Sequence, residues 1–123
     1  IVELRPGEWL EKPGTAAGLR LQLQRLRGRT HRLLSAAVFV QGGRPLWRHV
    51  GEARLQMRDF SDSFLSAYVE RHGNAVLQSV GGYHVEEAGV QLFERIEGSL
   101  FVIRGLPLLE VLGFLREAGE MAA

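Results

Sequence analysis

The chain has 123 residues, 46% of them hydrophobic and 24% charged, at a mean hydropathy of -0.03; this balance supports one domain with a core and excludes a disordered tail or a fibrous repeat. A net charge of +1 excludes bulk electrostatics as a basis for nucleic-acid binding, and the absence of cysteine excludes disulfides, thiolate metal sites and a cysteine nucleophile. No apolar run approaches bilayer-spanning length, and the cysteine-free composition points to the cytoplasm.

Ile1 to Leu4 reads as a short strand stopped by Pro6-Gly7, and Trp9-Leu10 lies in a loop before Pro13-Gly14 breaks the chain again. The sequence does not open on Met, and this first strand looks entered midway, so a fragment of a longer protein is expected. Thr15 should cap a helix to about Arg27, with Ala16, Leu19, Leu23 and Leu26 on one face and Gly28 at its stop. Arg32 to Val40 is continuously apolar, as in a strand covered on both faces, and Gln41-Gly42-Gly43-Arg44 predicts a hairpin turn. In the returning strand, Leu46 to Arg58, residues Ala53, Leu55 and Met57 alternate with Glu52, Arg54, Gln56 and Arg58.

Ser61 is placed to cap a helix to about His72, stapled by Phe60 and Leu65 and closed by Gly73-Asn74. The stretches around Gly81-Gly82 and Gly89 predict close backbone or ligand approach. Leu92-Phe93 and Leu100 to Ile103 read as strands on either side of an Ile96 to Ser99 turn. Pro107 then opens a last helix with Leu108, Val111, Leu112 and Leu115 facing a core and Gly119 ending it.

The four histidines, His31, His49, His72 and His84, fit no local metal-ligand spacing, and the phosphate-binding and nucleophile-elbow glycine motifs are absent. Arg20, Arg25, Arg27, Arg29 and Arg32 form a basic run with no acid between them; it reads either as a solvated face or as an RNA-binding surface, and the lack of interleaved aromatics favours the first. Among fifteen cations fourteen are Arg and one is Lys, Lys12, which marks a position that calls for a compact ammonium. Lys12-Pro13 can present that ammonium to a phosphate, the plain alternative being a solvated loop. Glu86-Glu87 sits between glycine-bearing stretches, where only one of two adjacent side chains can enter a site.

Glu11-Lys12-Pro13, Leu26 to His31, Phe60 to Tyr68, Gly81 to Gly89, Leu92 to Gly98 and Gly105-Leu106-Pro107-Leu108 occur in an order that resembles the Maf (septum-formation) family across nearly the whole chain. The resemblance implies an α/β fold like that of the inosine triphosphate pyrophosphatases, a mixed twisted sheet flanked by helices, with 1–123 as a single Maf-like domain. It implies hydrolysis of modified nucleoside triphosphates between the α and β phosphates, with a divalent metal (Mg, Mn or Co). In the family a phosphate loop and an Asp motif precede the Lys-Pro motif. The resemblance therefore puts the water-activating Asp just upstream of Ile1, puts no catalytic residue in this chain and leaves the fragment alone inactive. Asp59 and Asp62 do not replace that base.

By position Lys12 matches the family's phosphate-contacting Lys, and Glu86 the base-contacting position. With Leu92 to Gly98, Glu86 resembles the branch that prefers 7-methyl-GTP over dTTP and UTP. Glutamate suits such a base, because a carboxylate accepts from guanine N1–H and the exocyclic amine and favours a methylated, cationic ring. The resemblance also admits a homodimer. Two rival readings stand beside it: an RNA-binding module using Arg20 to Arg32, and a catalytically silent relative that binds a cell-division partner.

Overall fold

The structure, a computed structural model, describes residues 1–120. The chain is α/β: five strands in the hydrogen-bonded order β2-β1-β3-β4-β5, with helices flanking the sheet. Residues group into two compact units, one of Ile1–Arg32 with Arg54–Glu97 and one of Leu33–Ala53 with the chain from Gly98; strands β3 (Thr30–Gln41) and β4 (Arg44–Met57) run through both. No described helix is long and apolar enough to cross a membrane.

In the first unit, β1 (Val2–Arg5) and β2 (Glu8–Leu10) form an antiparallel pair around Pro6-Gly7, so Trp9-Leu10 belongs to a strand rather than to the expected loop. A buried carboxylate explains the pairing: Glu3 accepts from Gly7 N at 3.2 Å and Trp9 Nε1 at 3.3 Å, which ties the turn and the second strand to the first. Helix α1 (Ala16–Leu26) begins as expected, with the Thr15 hydroxyl accepting from Gly18 N at 3.0 Å, and it buries Leu19, Leu23 and Leu26 completely.

Helix α2 (Asp62–Val76) starts on Ser61, whose hydroxyl accepts from Phe64 N at 3.0 Å, and passes through Gly73-Asn74 where a stop was expected. Packing overrides the local signal there. A Cβ on Gly73 would meet Leu19 Cδ2 at 3.5 Å, so the glycine lies against α1, and one further turn buries Val76. That burial outweighs the roughly 1 kcal/mol helix penalty of glycine. β5 (Phe93–Glu97) then pairs antiparallel with β4, Leu55 opposite Ile96.

In the second unit, Gly42 and Gly43 both take positive φ (57° and 78°) and turn β3 into β4. Strand β3, whose first residues to Arg32 belong to the first unit, is buried alternately through His31, Leu33 and Ser35 rather than covered on both faces. Leu100–Arg104, expected as a strand, is helix α3. Two end signals override its β-branched composition: the Ser99 hydroxyl accepts from Phe101 N at 3.1 Å, and Gly105 in the left-handed region donates back to Phe101 and Val102 carbonyls. Helix α4 (Leu108–Glu117) follows Pro107 as expected, but none of its residues is buried, so Leu108, Val111, Leu112 and Leu115 do not make a closed core. Phe114 of α4 lies 4.8 Å from the Phe39 ring and 5.1 Å from that of Trp47.

Candidate functional site

Lys12 lies exposed on the loop between β2 and α1. Three contacts shape this loop without using the ammonium. Gly14 N donates to the Leu77 carbonyl at 2.9 Å, and Gln22 Nε2 donates to the Glu11 carbonyl. Gly18 lets the first turn of α1 fold over Pro13, since a Cβ there would lie 2.5 Å from the Pro13 carbonyl oxygen. Among the described residues Lys12 makes no hydrogen bond or ion pair, so its charge is available to an anion.

The second candidate segment follows α2. Gly81 and Gly82 take φ of +88° and +78°, conformations that side chains rarely adopt. A Cβ on Gly82 would fall far inside van der Waals contact with Leu19 Cδ1 and 3.7 Å from Pro13 Cγ, so the Gly81-Gly82 backbone is pressed against α1 and the Lys12-Pro13 loop. These two motifs, remote in sequence, are thereby brought together.

Side chains then fix the segment from several sides. Tyr68 OH donates to the Gly82 carbonyl at 3.0 Å, and burial with the Glu87 charge pushes that phenol up to about 12. Tyr83 OH lies 2.6 Å from His31 Nε2. Ser79 Oγ lies 2.6 Å from His84 Nε2, and His84 Nδ1 faces Glu87 at 3.6 Å. Glu87 is thus drawn back along its own loop. Glu86, also exposed, makes no such contact among the described residues.

Tyr68, Tyr83, Ser79 and His84 carry no sequence signal for this arrangement, and His31 stands out in the sequence as one of four histidines without metal-ligand spacing. Only His31 left a signal: it alternates with Leu33 and Ser35, the positions that face inward from β3. Four of the five arginines have side-chain partners within the chain, three of them carboxylates. Arg20 donates to Ser66 Oγ at 3.1 Å, Arg25 pairs with Glu8, Arg27 with Asp62 at 2.7 Å, and Arg32 with Glu3. Arg32 and Arg27 hold the Glu3 and Asp62 carboxyls below the usual carboxylate range.

Among the described residues no group of three or more His, Asp or Glu side chains is placed to hold a metal ion. Among the described residues the Lys12 ammonium and the Glu86 carboxylate have no partner, and the segments that carry them approach each other at Pro13 and Gly82. Such a pair can hold an anionic phosphate at one place and a hydrogen-bond-donating base edge at another.

A family model described as Maf-like protein matches residues 1–118, so the chain belongs to the Maf family. It is similar to proteins named nucleoside triphosphate pyrophosphatase: that of Paramagnetospirillum magneticum, 50% identical over 113 residues; that of Caulobacter vibrioides, 50% over 115; and that of Gluconobacter oxydans, 51% over 112. These matches cover 92%, 94% and 91% of this chain but 58%, 58% and 55% of the relatives. The chain spans a little over half the length of the curated relatives it matches.

Proposed function

We propose that the whole protein of which this chain forms part is a nucleoside triphosphate pyrophosphatase of the cytoplasm, cleaving the α–β phosphoanhydride of a modified guanine nucleotide such as 7-methyl-GTP. The observation that carries the reading is the packing of the Lys12-Pro13 loop against Gly82, on the segment that goes on to expose Glu86. The printed names of the relatives support the activity.

In this reading Lys12 holds the triphosphate by charge. Its contribution grows as negative charge shifts onto the leaving pyrophosphate, so it acts more on the transition state than on the ground state. Glu86 accepts from guanine N1–H and the exocyclic amine and favours a cationic, 7-methylated ring. Glu87, turned toward His84, takes no part in base contact. The water-activating Asp is assigned to sequence outside this chain. The divalent metal (Mg, Mn or Co) and the homodimer belong to the proposal for the whole protein, and the 123-residue chain alone is expected to be inactive.

Pyrophosphate release from a broad panel of triphosphates by the complete protein tests the reading. Release with preference for 7-methyl-GTP supports it. No cleavage of any triphosphate, with tight binding of structured RNA or of a division protein instead, overturns it.

A further inference from the structure

His31 is among the largest fully buried side chains, 1% exposed, and its Nδ1 has no hydrogen-bond partner. Its one polar contact is Nε2 to Tyr83 OH at 2.6 Å; otherwise it meets the rings of Tyr83 and Phe93, at 5.8 and 6.0 Å between centroids. Two apolar side chains would fill this space with no polar atom left over, and burying the imidazole with one nitrogen unpaired carries a cost. Such a pair must be doing something that packing alone does not.

Tyr83 shows what that is. Its ring lies directly under the Gly81-Gly82 turn: a Cβ on Gly81 would come 2.8 Å from Tyr83 Cε1. The ring also meets Phe93 edge-on at 4.8 Å. Packing against Phe93 sets the plane of the ring, and the short contact from its hydroxyl to a strand residue anchors its far end. The contact with His31 thus ties the tip of Tyr83 to β3, and the Tyr83 ring in turn backs the Gly81-Gly82 turn that leads to Glu86.

We propose that His31 is a positioning residue for the base-contacting segment, acting through Tyr83 to fix where Glu86 is presented. The inference rests on the reading of Glu86 given under Proposed function. His31 itself touches no substrate.

The test uses the complete protein carrying His31→Phe, Tyr83→Phe, and both together. His31→Phe alone strands the Tyr83 hydroxyl in the core and lowers thermal stability. The double variant removes both polar partners and should recover wild-type stability or better, because paired apolar replacement leaves nothing unsatisfied. Despite that recovery, amide exchange across residues 81–87 should stay faster than wild type. KM for the preferred nucleotide should rise roughly tenfold with kcat little changed, since a base contact made equally in ground and transition states appears in KM. Preference over dTTP and UTP should narrow in step. A double variant that is stable and keeps wild-type exchange at 81–87, or wild-type KM and base preference, overturns the proposal and makes the pair a packing feature only. If the wild-type protein cleaves no triphosphate, the proposed function fails on its own, and amide exchange still decides whether His31 fixes the segment.

Discussion

Leu19 and Gly82 occupy what would otherwise be one space: the fully buried Leu19 side chain on α1 stands where Gly82 would carry a Cβ. Gly82→Ala must displace that leucine and also hold alanine at φ +78°, so neither half of the contact can adjust freely. The variant should lose about 1–3 kcal/mol of stability and separate the Gly81-Gly82 backbone from the Lys12-Pro13 loop. Chemical denaturation of the complete protein measures the first effect, and a raised KM for nucleotide the second.

Lys12→Ala should lower kcat/KM of the complete protein by about a hundredfold or more, the scale of one lost contact to transition-state charge. Stability should change by no more than about 0.5 kcal/mol, because the side chain is exposed and bonded to nothing else described. Lys12→Arg should rescue only part of the activity, a planar fork being a poor substitute for a point charge. Wild-type kcat/KM in Lys12→Ala would show a solvated loop residue.

Glu86→Gln keeps the shape of the segment and removes the charge. Its preference for 7-methyl-GTP over dTTP or UTP should fall by roughly 1–3 kcal/mol, as for one charged hydrogen bond lost in a site. Glu87→Gln should leave the ratio alone, since that carboxylate turns to His84. Ratios of kcat/KM that move in Glu87→Gln instead reverse the assignment.

Burial pushes the His31 imidazole down to about 4, from 6.5 in the unfolded chain. Between those values the unfolded chain binds a proton that the native protein refuses, so stability should fall as pH drops from about 6.5, by roughly 3 kcal/mol on reaching pH 4. Glu3 and Asp62, both held low by arginines, act only at the acid end of that window. His31→Phe should flatten the slope in unfolding free energy against pH; an unchanged slope would place its origin elsewhere.

Much of this architecture was legible because the local signals agreed with the packing. Thr15 and Ser61 cap the helices they were expected to cap, Gly42-Gly43 turns the hairpin, and β4 buries the alternating residues Ala53, Leu55 and Met57. The misreadings came where distant residues decided. Gly73 looks like a stop until Leu19 is known to lie beside it, and Leu100 to Ile103 looks like a strand until Ser99 and Gly105 are read as its two caps. At the site, Lys12 stood out by rarity and Glu86 by family position. The contacts that brace the segment around Glu86 could not be read, because Tyr68 reaches Gly82 and His31 reaches Tyr83 only through the fold.

The pairing of the arginine run has a consequence for how the protein meets a polyanion. Nucleic acid gains much of its hold on a protein by shedding condensed counterions as free cations take their place. Arg25, Arg27 and Arg32 already sit against Glu8, Asp62 and Glu3, so each would have to give up a carboxylate before it could displace an ion. Any association of this run with nucleic acid should therefore fall less steeply with salt concentration than five unpaired arginines would give, because three of the five would exchange one anion for another.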